Sequence, residues 1–363
     1  MIDKVLLFPY YIVLKLRDKH YRFGKKKPKV AEVPTICVGN IAAGGTGKTP
    51  HTEMILRMLL ESFEWGDKHI AVLSRGYRRE SRGFQQVPSD GSAAMFGDEP
   101  LQIKKHFPNV TVAVCRDRVE GCMLLCHPEL LEKKRYGRKC WHKDFPPADI
   151  IVLDDAFQYR KLKASLNVVL VEYSRPLGKD HLLPLGRLRD LPERITDADV
   201  IIATKCQPEI TVEEKEKWAQ TLGTPLDRTR QTLLFTSVHY GNPLPVFSEA
   251  DPHYIYSKKA ILFTGIAKDT PIRRYLSDRY KIVRRFAFKD HHKYNWSDCQ
   301  KILSETRRHG TAAVITTEKD AQRVLDYSGF PGEVRKKLFM LPIRVDFTTE
   351  QERSEFDRIL RTV

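Results

Sequence analysis

The segment VGNIAAGGTGKTP, Val38 to Pro50, contains residue types that bind the phosphates of a nucleotide. Its Gly47-Lys48-Thr49 core matches the end of the P-loop pattern G-x-x-x-x-G-K-[ST], although Ala42 stands where that pattern has its first glycine. Backbone N–H groups of a glycine-rich loop converge on phosphate oxygens, the lysine reaches the β- and γ-phosphates, and the hydroxyl binds Mg²⁺. The residues expected to hold a nucleotide are Gly44, Gly45, Thr46, Gly47, Lys48 and Thr49.

A second acidic element completes this pattern. The apolar run Ile150–Leu153 ends in Asp154 and Asp155, and the carboxyl end of a parallel strand faces the crevice where ligands bind. We therefore predict that both aspartates contribute to the Mg²⁺ site, with Asp154 the more direct ligand. The alternative, a turn aspartate that happens to cap a buried strand, does not account for the pair occurring together with the glycine-rich loop.

The elements that must position these residues alternate along the chain. A β-rich run precedes the loop and a helical pattern follows it from His51 to Leu60, which is the context that a P-loop requires. Alternation of this kind predicts an α/β fold, a P-loop NTPase-like doubly wound and mostly parallel sheet with a second, smaller α/β domain. The predicted strands are 34–38, 70–73, 110–114, 150–154, 168–171, 200–203, 260–264 and 312–315.

The predicted domains follow from a change of pattern near residues 225–260, where short extended pieces rich in Pro, Gly, His and Tyr appear. We assign residues 1–24 to an amino-terminal helix, 25–228 to the kinase-like core and 229–363 to the smaller domain with an extended hinge segment. The chain of 363 residues is long enough for two domains of ordinary size.

Composition narrows the choice of partner. The formal net charge is +16, from 62 Lys and Arg against 46 Asp and Glu, which favours an anionic partner: nucleic acid, a membrane surface or a phosphorylated substrate.

Seven cysteines without a C-x-x-C pair indicate reduced thiols in the cytoplasm. A zinc site could be drawn from five residues, but their spacing matches no usual structural zinc pattern. These residues are Cys122, Cys126, His127, Cys140 and His142.

The amino terminus joins an apolar run, Val5 to Leu14, to a basic segment that ends in Lys25 to Lys27. The run is about half the length of a membrane-spanning helix, and its charge follows rather than precedes the apolar part, unlike a secretory signal. A helix lying in the membrane interface and a helix packed on the protein's own core both fit this pattern. Pro9 would break or kink a helix, so the helix is expected to begin near it.

Several ordered blocks together resemble the lipid A 4'-kinase (tetraacyldisaccharide 4'-kinase) family. Besides the glycine-rich loop they are LSRGYRR (73–79), GDEP (97–100), LDDAFQYRKL (153–162), LLPLGRLRD (182–190), DHHKY (290–294) and TTEKDA (316–321). The family's loop has the same offset, so Ala42 is consistent with membership. The resemblance implies a P-loop kinase that uses ATP and Mg²⁺ at the cytoplasmic face of the inner membrane to phosphorylate a glucosamine disaccharide lipid, which favours the interfacial helix.

The resemblance also implies residue roles. Asp98, in GDEP, would accept the proton of the attacking hydroxyl, with His291 as its partner and the adjacent His292 as the alternative. Lys48 of the glycine-rich loop is the third expected catalytic residue. A capping role for Asp98 at a helix start is the alternative. Asp190, where the family pattern has Glu, would assist the metal. The expected substrate contacts are Arg75, Arg118, Gln158 and Arg189, with Arg116 also a candidate and solvated surface arginines the alternative. Two departures, Ala156 for Gly and Tyr159 for His, put a protonic role at position 159 in doubt.

These observations predict an ATP- and Mg²⁺-dependent kinase that phosphorylates the 4'-hydroxyl of tetraacyldisaccharide 1-phosphate. We expect an acylated disaccharide phosphate as substrate, an inner-membrane surface as partner, a monomeric chain and no nucleic acid. A P-loop kinase of a soluble acceptor is one alternative, and it would not need the amino-terminal segment. A nucleic-acid-binding ATPase is another, but it would need stacking aromatics or a basic groove-binding helix.

Overall fold

The computed structural model describes residues 2–24 and 27–363, with side chains in the first helix from Phe8 onward. Lys25 and Lys26 of the predicted basic tail lie outside the described residues, as do the side chains of the first part of the apolar run. Within this described part of the chain, no helix combines the length and the apolar character needed to cross a bilayer.

The larger of two main sheets has nine strands in the order β16-β10-β9-β8-β2-β6-β3-β5-β4. Its interior pairs are parallel, while β4 and β16 pair antiparallel at the two edges. In chain order the strands are β2 (Thr35–Asn40), β3 (Ile70–Ser74), β4 (Gln85–Gln86), β5 (Thr111–Val114), β6 (Ile150–Asp154), β8 (Leu166–Glu172), β9 (Val200–Cys206), β10 (Thr232–Tyr240) and β16 (Ile343–Phe347). The short strands β1 (Lys29–Val30) and β7 (Leu162–Lys163) form a separate parallel pair.

Helices cover both faces of this sheet, because successive strand residues point to opposite sides. Val38 belongs to one core cluster and Cys37 to the other. The helices around this sheet are α1 (Ile2–Phe23), α2 (Lys48–Glu61), α3 (Ala93–Phe96), α4 (Asp98–His106), α5 (Arg118–Cys126), α6 (Lys134–Gly137), α7 (Val212–Ala219) and α12 (Glu350–Arg361). Helices α2, α4 and α12 bury apolar residues in the cluster of Val38, and α1, α5 and α7 do so in the cluster of Cys37. The doubly wound α/β fold predicted from the sequence is confirmed.

The second sheet has five strands in the order β11-β15-β14-β12-β13. They are β11 (Leu244–Pro245), β12 (Lys259–Thr264), β13 (Lys281–Ala287), β14 (Ala313–Thr317) and β15 (Leu338–Leu341). Its helices are α8 (Thr270–Ser277), α9 (Trp296–Arg308), α10 (Glu318–Leu325) and α11 (Gly332–Arg335). Short 3₁₀ turns connect elements throughout the chain, at Pro128–Glu132, Leu177–Lys179, Pro192–Asp197, Gln220–Leu222 and Pro252–Tyr256.

The two sheets do not divide the chain at residue 228, where the sequence analysis placed the boundary. Strand β10 pairs with β9, and β16 pairs with β10, so the segments 232–240 and 343–347 complete the large sheet. The small sheet is therefore an insertion between β10 and β16. The sequence boundary was misplaced because a composition change marks the extended segment after β10 but carries no information about strand pairing.

The small sheet is held against the large one by α10, which packs on α4. Lys319 forms an ion pair with Glu99, and Gln102 donates to Glu318 Oε2 at 3.2 Å. His106 extends this contact, because its two ring nitrogens lie 3.1 Å from Glu53 and 2.7 Å from Glu318. The carboxylates raise the pKa of His106 to about 10 although partial burial alone would lower it. The phosphate-loop helix α2, which carries Glu53, is thus tied to the small sheet through a buried charged cluster.

The first helix, α1, is continuous from Ile2 to Phe23 and contains Pro9 rather than beginning there. One face is docked on the core: Leu14 is buried, and the Tyr10 hydroxyl donates to the carbonyl of Arg189 at 3.1 Å. The opposite face exposes apolar side chains to solvent, namely Phe8, Ile12, Val13 and Leu16. The sequence left two alternatives, a helix lying in the membrane interface and a helix packed on the core. The structure has a helix packed on the core whose other face is apolar and exposed.

Candidate active site

The glycine-rich loop connects the carboxyl end of β2 to the start of α2, at the centre of the large sheet. Gly47 adopts a left-handed conformation, φ +87°, immediately before Lys48, and Gly44 has φ +110°. A side chain at either position would be strained. Beside the second glycine of the loop, Gly45, a Cβ atom would meet nothing within 4 Å. The loop therefore keeps open space next to the amino terminus of a 14-residue helix, where backbone N–H groups favour an anion.

Two polar contacts hold the glycine-rich loop in place. Asn40 Nδ2 donates to the buried hydroxyl of Thr46 at 2.8 Å. Lys205, at the end of β9, donates from Nζ to the carbonyl of Gly45 at 2.5 Å and has a left-handed φ of +61°. Burial lowers the pKa of Lys205, and Glu172, 3.6 Å away, opposes that shift. The Lys205 contact fixes the direction of the Gly45 carbonyl, and the Asn40 contact fixes the Thr46 side chain.

The two predicted metal-binding aspartates lie at the end of β6, next to the loop. Asp155 Oδ1 is 3.8 Å from Lys48 Nζ and 2.6 Å from Arg189 Nη2. Asp154 is fully buried and accepts a hydrogen bond from Ser74 Oγ at 3.1 Å. Burial raises the pKa of Asp154 to about 7, with the negative charges of Glu99 and Asp155 adding to the effect. A nearby cation would favour the ionised form of a carboxyl group in such surroundings.

The side chains of Thr49, Asp154 and Asp155 are suited to binding a hard divalent cation. The Thr49 hydroxyl is buried and has no hydrogen-bond partner, although buried polar atoms are nearly always paired. It belongs to the residue after Lys48, whose ammonium lies beside Asp155. A hydroxyl together with carboxylate oxygens is the kind of oxygen donor set that Mg²⁺ prefers.

The structure does not place Asp190 with the other predicted metal ligands. Its carboxylate is buried, with Oδ2 3.0 Å from Arg194 Nη1 and Oδ1 3.5 Å from Arg160 Nη2. The carboxylate is thus neutralised by two arginines and is not grouped with Asp154 and Asp155. The expectation followed the position of Asp190 after LLPLGRLR, but the neighbouring Arg189 is the residue whose side chain reaches Asp155.

The GDEP and DHHKY blocks meet across the boundary between the two sheets. Asp98 begins α4, and its Oδ2 atom lies 3.4 Å from His291 Nδ1. Burial raises the pKa of Asp98, but the hydrogen bond to His291 and the charges of Arg323 and Lys319 outweigh it, so the pKa lies well below its usual range. Asp98 is therefore an ionised carboxylate able to accept a proton, in contact with an imidazole.

Of the two adjacent histidines, His291 is the one that faces Asp98. His292 turns the other way, with Nε2 2.8 Å from Asp298 and its ring stacked on Phe288 at 4.5 Å between centroids. The opposite directions are accompanied by a left-handed backbone at His291, φ +58°. Strained non-glycine residues of this kind cluster at functional sites.

The predicted substrate contacts fall into exposed and buried groups. Arg75 and Arg116 are exposed at the carboxyl ends of β3 and β5. Arg118 is buried, and its guanidinium donates to backbone carbonyls, including that of Asp155 at 3.4 Å. Asp155 has a left-handed backbone conformation, φ +49°, and the contact with Arg118 stabilises its carbonyl group. Arg118 therefore supports the two aspartates at the end of β6. Gln158 has a buried Nε2 atom without a partner, so its amide remains free to bind a ligand.

The two departures from the family pattern have local roles. Tyr159 donates from its hydroxyl to Asp117 Oδ1 at 2.8 Å. Burial and this carboxylate raise the pKa of Tyr159 far above the neutral range, so the group stays protonated. Ala156 is buried, and its carbonyl accepts from the Tyr159 backbone N–H at 2.7 Å. Position 159 therefore orders a turn next to Asp155.

Several residues that support the site were not predicted from the sequence. Asn40, Ser74 and Lys205 support the loop and Asp154, and Arg323 contacts Asp98. Of the cysteines drawn as a zinc alternative, Cys122 and Cys126 are buried in α5, while Cys140 donates to the His142 carbonyl. In the part of the chain that the structure describes, no three His, Cys, Asp or Glu side chains form a metal-holding group.

A parallel doubly wound sheet with a glycine-rich loop before a helix, a lysine at its start and two aspartates at the neighbouring strand end is characteristic of P-loop nucleotide-binding proteins. More specifically, the chain belongs to the tetraacyldisaccharide-1-P 4'-kinase family, whose model matches residues 4–362. The family resemblance drawn from the sequence is thereby confirmed.

Related proteins agree with this membership. The tetraacyldisaccharide 4'-kinase of Phocaeicola vulgatus is 35% identical over 343 residues, covering 93% of this chain and 88% of the relative. That of Porphyromonas gingivalis strain ATCC 33277 is 37% identical and covers 96% and 93%. Among solved structures, LpxK from Aquifex aeolicus in complex with ATP superposes with a TM-score of 0.69 at 26% identity, covering 99% of each chain.

Proposed function

We propose that this protein is a tetraacyldisaccharide 4'-kinase that transfers the γ-phosphate of ATP to the 4'-hydroxyl of a tetraacyldisaccharide 1-phosphate, giving a 1,4'-bisphosphorylated lipid. The observation that carries the proposal is the pairing of Asp98 with His291 in the same molecule as the phosphate-binding loop. The two sites are electrostatically joined, since the charge of Glu99, next to Asp98, raises the pKa of Asp154. Family membership supplies the identity of the acceptor.

On the donor side, the loop from Gly44 to Gly47 would surround the β- and γ-phosphates with backbone N–H groups. Lys48 would move from Asp155, 3.8 Å away, to compensate the charge that develops as the phosphoryl group transfers. Arg189 holds Asp155 during this exchange through its 2.6 Å contact. A bound Mg²⁺, held by Thr49, Asp154 and Asp155, would neutralise phosphate charge.

On the acceptor side, Asp98 would receive the proton of the 4'-hydroxyl. The carboxylate has a low pKa and is a weak base, but a loose phosphoryl-transfer transition state demands position more than base strength. His291 is placed to take the proton onward, because its Nδ1 atom lies 3.4 Å from Asp98 Oδ2. The group that accepts the proton therefore depends on contact between α4 and the small sheet.

The lipid would arrive from a membrane surface, along α1. The exposed apolar side chains of this helix, including Phe8 and Leu16, lie on the face opposite to the docked residues Tyr10 and Leu14. The helix contacts the site directly: Tyr10 bonds the carbonyl of Arg189, and Arg17 Nη2 donates to that of Gln158 at 2.8 Å. We therefore propose peripheral binding at the cytoplasmic face of the inner membrane, with the net charge of +16 favouring anionic headgroups.

The decisive test is phosphorylation of the lipid itself. Purified protein, [γ-³²P]ATP, Mg²⁺ and tetraacyldisaccharide 1-phosphate in detergent should give a labelled bisphosphorylated lipid, and omission of the lipid should leave ATP largely unhydrolysed. Absence of labelled lipid would reject the proposal. Transfer to a soluble sugar or nucleoside would favour the soluble-acceptor kinase, and ATP hydrolysis stimulated by nucleic acid would favour the ATPase.

A further inference from the structure

Arg323, on the inner face of α10, contacts both members of the proposed proton-accepting pair. Its Nη2 atom donates to Asp98 Oδ2 and lies 3.3 Å from His291 Nδ1. The other terminal nitrogen, Nη1, donates to Asp320 Oδ1 at 2.9 Å and to the carbonyl of Gly265 at 3.1 Å. Only 9% of the side chain is exposed. The guanidinium thus joins the acceptor side of the site to the framework of the small sheet.

The anchor for this arginine is rigid. Asp320 is fully buried, and its second oxygen accepts from Thr317 Oγ1 at 2.7 Å and from the Gly265 N–H at 2.9 Å. Both carboxylate oxygens of Asp320 are therefore occupied, one by Arg323 and one by these two donors. Because an arginine fork has fixed geometry, an anchored Nη1 leaves Nη2 with little freedom. Its position toward Asp98 is set by the fold of the small sheet.

We propose that Arg323 is a positioning residue for phosphoryl transfer, which holds Asp98 and His291 in place and occupies Asp98 Oδ2 so that Oδ1 faces the acceptor hydroxyl. The inference rests on the proposed function and deepens it. Oδ1 accepts the backbone N–H of Glu99 at 3.2 Å, and a carboxylate oxygen has a second lone pair for the sugar hydroxyl. Arg323 touches neither transferred group in this arrangement and acts through Asp98.

Arg323 also affects where the proton of the acceptor hydroxyl goes after Asp98 has received it. His291 Nδ1 either donates to Asp98 or accepts from Arg323, since one nitrogen cannot do both in the same protonation state. As the acceptor oxygen bonds to phosphorus and loses its proton to Asp98, the bond from phosphorus to the leaving ADP oxygen breaks and ADP keeps that electron pair. A protonated Asp98 has lost its ion pair with Arg323. Transfer of the proton to an unprotonated His291 Nδ1, for which the carboxyl group turns its protonated oxygen toward that atom, restores the ion pair. The arginine therefore favours release of the proton from Asp98.

The charges around Asp98 support this role. Around it are Arg323 and Lys319 from α10, His291 from the segment after β13, and Glu99 from its own helix. Asp320 pairs in turn with Arg323, and Asp290 lies 3.9 Å from His291. Burial raises the pKa of Asp98, and His291, Arg323 and Lys319 lower it. Lys319 is already paired with Glu99. Removal of the Arg323 charge should therefore move the ionisation of Asp98 toward higher pH.

The test compares Arg323→Gln with the conservative Arg323→Lys in the lipid kinase assay from pH 4.5 to 9. We expect Arg323→Gln to lower kcat at neutral pH by at least about tenfold, with the KM for ATP within about twofold of wild type because the P-loop is untouched. Its acid limb should lie at higher pH than that of the wild-type enzyme. Arg323→Lys, which keeps a charge beside Asp98, should recover part of kcat and of the acid limb. Arg307→Gln, which breaks an exposed ion pair with Glu333 in the same domain, is the matched control.

A double-mutant cycle separates positioning from folding. In the Asp98→Asn background, Arg323→Gln should change the residual rate by less than about twofold, because the group through which it acts is gone. Equal losses in both backgrounds, or a wild-type kcat and pH profile for Arg323→Gln, would overturn the inference. If Arg323→Gln unfolds, as judged by thermal melting, Arg323→Lys must show the shifted acid limb with native melting, or the inference fails. A wild-type enzyme without lipid kinase activity would instead reject the proposed function.

Discussion

Asp98 Oδ2 and His291 Nδ1 lie 3.4 Å apart, although Asp98 begins a helix of the large sheet and His291 follows a strand of the small one. The pair exists only while α4 and the small sheet are in contact. The interactions that hold that contact include the ion pairs of Lys319 with Glu99 and Arg323 with Asp98, and the contacts of Glu318 with Gln102 and His106. If Asp98 accepts the proton as proposed, a site divided in this way would couple proton acceptance to contact between α4 and the small sheet.

Replacing Asp98 should affect chemistry and leave nucleotide binding intact. Asp98→Asn keeps the shape of the side chain but removes the proton acceptor, so we expect kcat to fall on the order of 100-fold. The Kd of a fluorescent ATP analogue should stay within about twofold, since the loop from Gly44 to Thr49 is unchanged. Steady-state kinetics and equilibrium titration measure the two effects. Parallel losses of affinity and turnover would place Asp98 in the nucleotide site instead.

Replacing Lys48 should impair phosphoryl transfer from ATP. Lys48→Ala removes the cation next to Asp155, and we expect kcat/KM for ATP to fall by on the order of 100-fold or more through lost charge compensation. Lys336→Ala, which removes an exposed lysine of the small domain, controls for the change in net charge. An unchanged rate for Lys48→Ala would contradict the P-loop assignment.

The sequence predicted the elements whose pattern is local. Strand β6 and its two aspartates, the loop before α2 and the doubly wound sheet all follow from apolar runs, glycines and strand-helix alternation. Asp98 and His291 carried no local signal beyond capping and a surface histidine, and only the family resemblance connected them. The position of Asp190 could not be predicted, because the fold brings Arg160 to it from 30 residues away, in addition to its local partner Arg194. The pairing of β10 with β16 was missed for the same reason.

Thr49 should determine how much Mg²⁺ the enzyme needs. Its hydroxyl is buried without a partner, so Thr49→Val should leave the fold nearly unperturbed while removing a metal-binding oxygen. We expect the Mg²⁺ concentration for half-maximal activity to rise by about tenfold or more, and excess EDTA to abolish activity in all variants. Thr49→Ser, which retains the hydroxyl, is the matched control. An equal Mg²⁺ concentration for half-maximal activity in wild type and Thr49→Val would argue against Thr49 as a ligand.

His106 should make stability depend on pH in the alkaline range. Its pKa is about 10 in the folded protein, above the usual value near 6.5. The stabilisation is thus fully present below about pH 6.5 and declines as pH rises toward 10. With one third of the side chain exposed, we expect His106 to contribute on the order of 1–2 kcal/mol to that decline.

Chemical denaturation at pH 6.5 and 9.5 measures this effect. The free energy of unfolding should fall less between these pH values in His106→Gln than in wild type. His253→Gln, at an exposed position of the small domain, should keep the wild-type slope. If His106→Gln also kept it, the ion pairs with Glu53 and Glu318 would not contribute to stability in solution.

The exposed face of α1 should bind membranes independently of the chemistry. Phe8 and Leu16 are 60% and 61% exposed and lie on one helix face, eight residues apart. Insertion of both side chains into the interface of a bilayer would stabilise the bound state by about 2 kcal/mol or more. We therefore expect the double variant Phe8→Ser/Leu16→Ser to bind vesicles of 30% anionic phospholipid at least about tenfold more weakly in co-sedimentation.

The same variant separates delivery of the substrate from catalysis. Activity toward lipid dispersed in detergent should remain within about twofold of wild type, whereas activity toward lipid embedded in vesicles should fall with binding, because the contacts of Tyr10 and Arg17 with the site are retained. Val212→Ser, which removes a residue that is 71% exposed on α7, controls for loss of surface hydrophobicity. Equal vesicle binding by both variants and wild type would show that α1 serves only to brace the protein core.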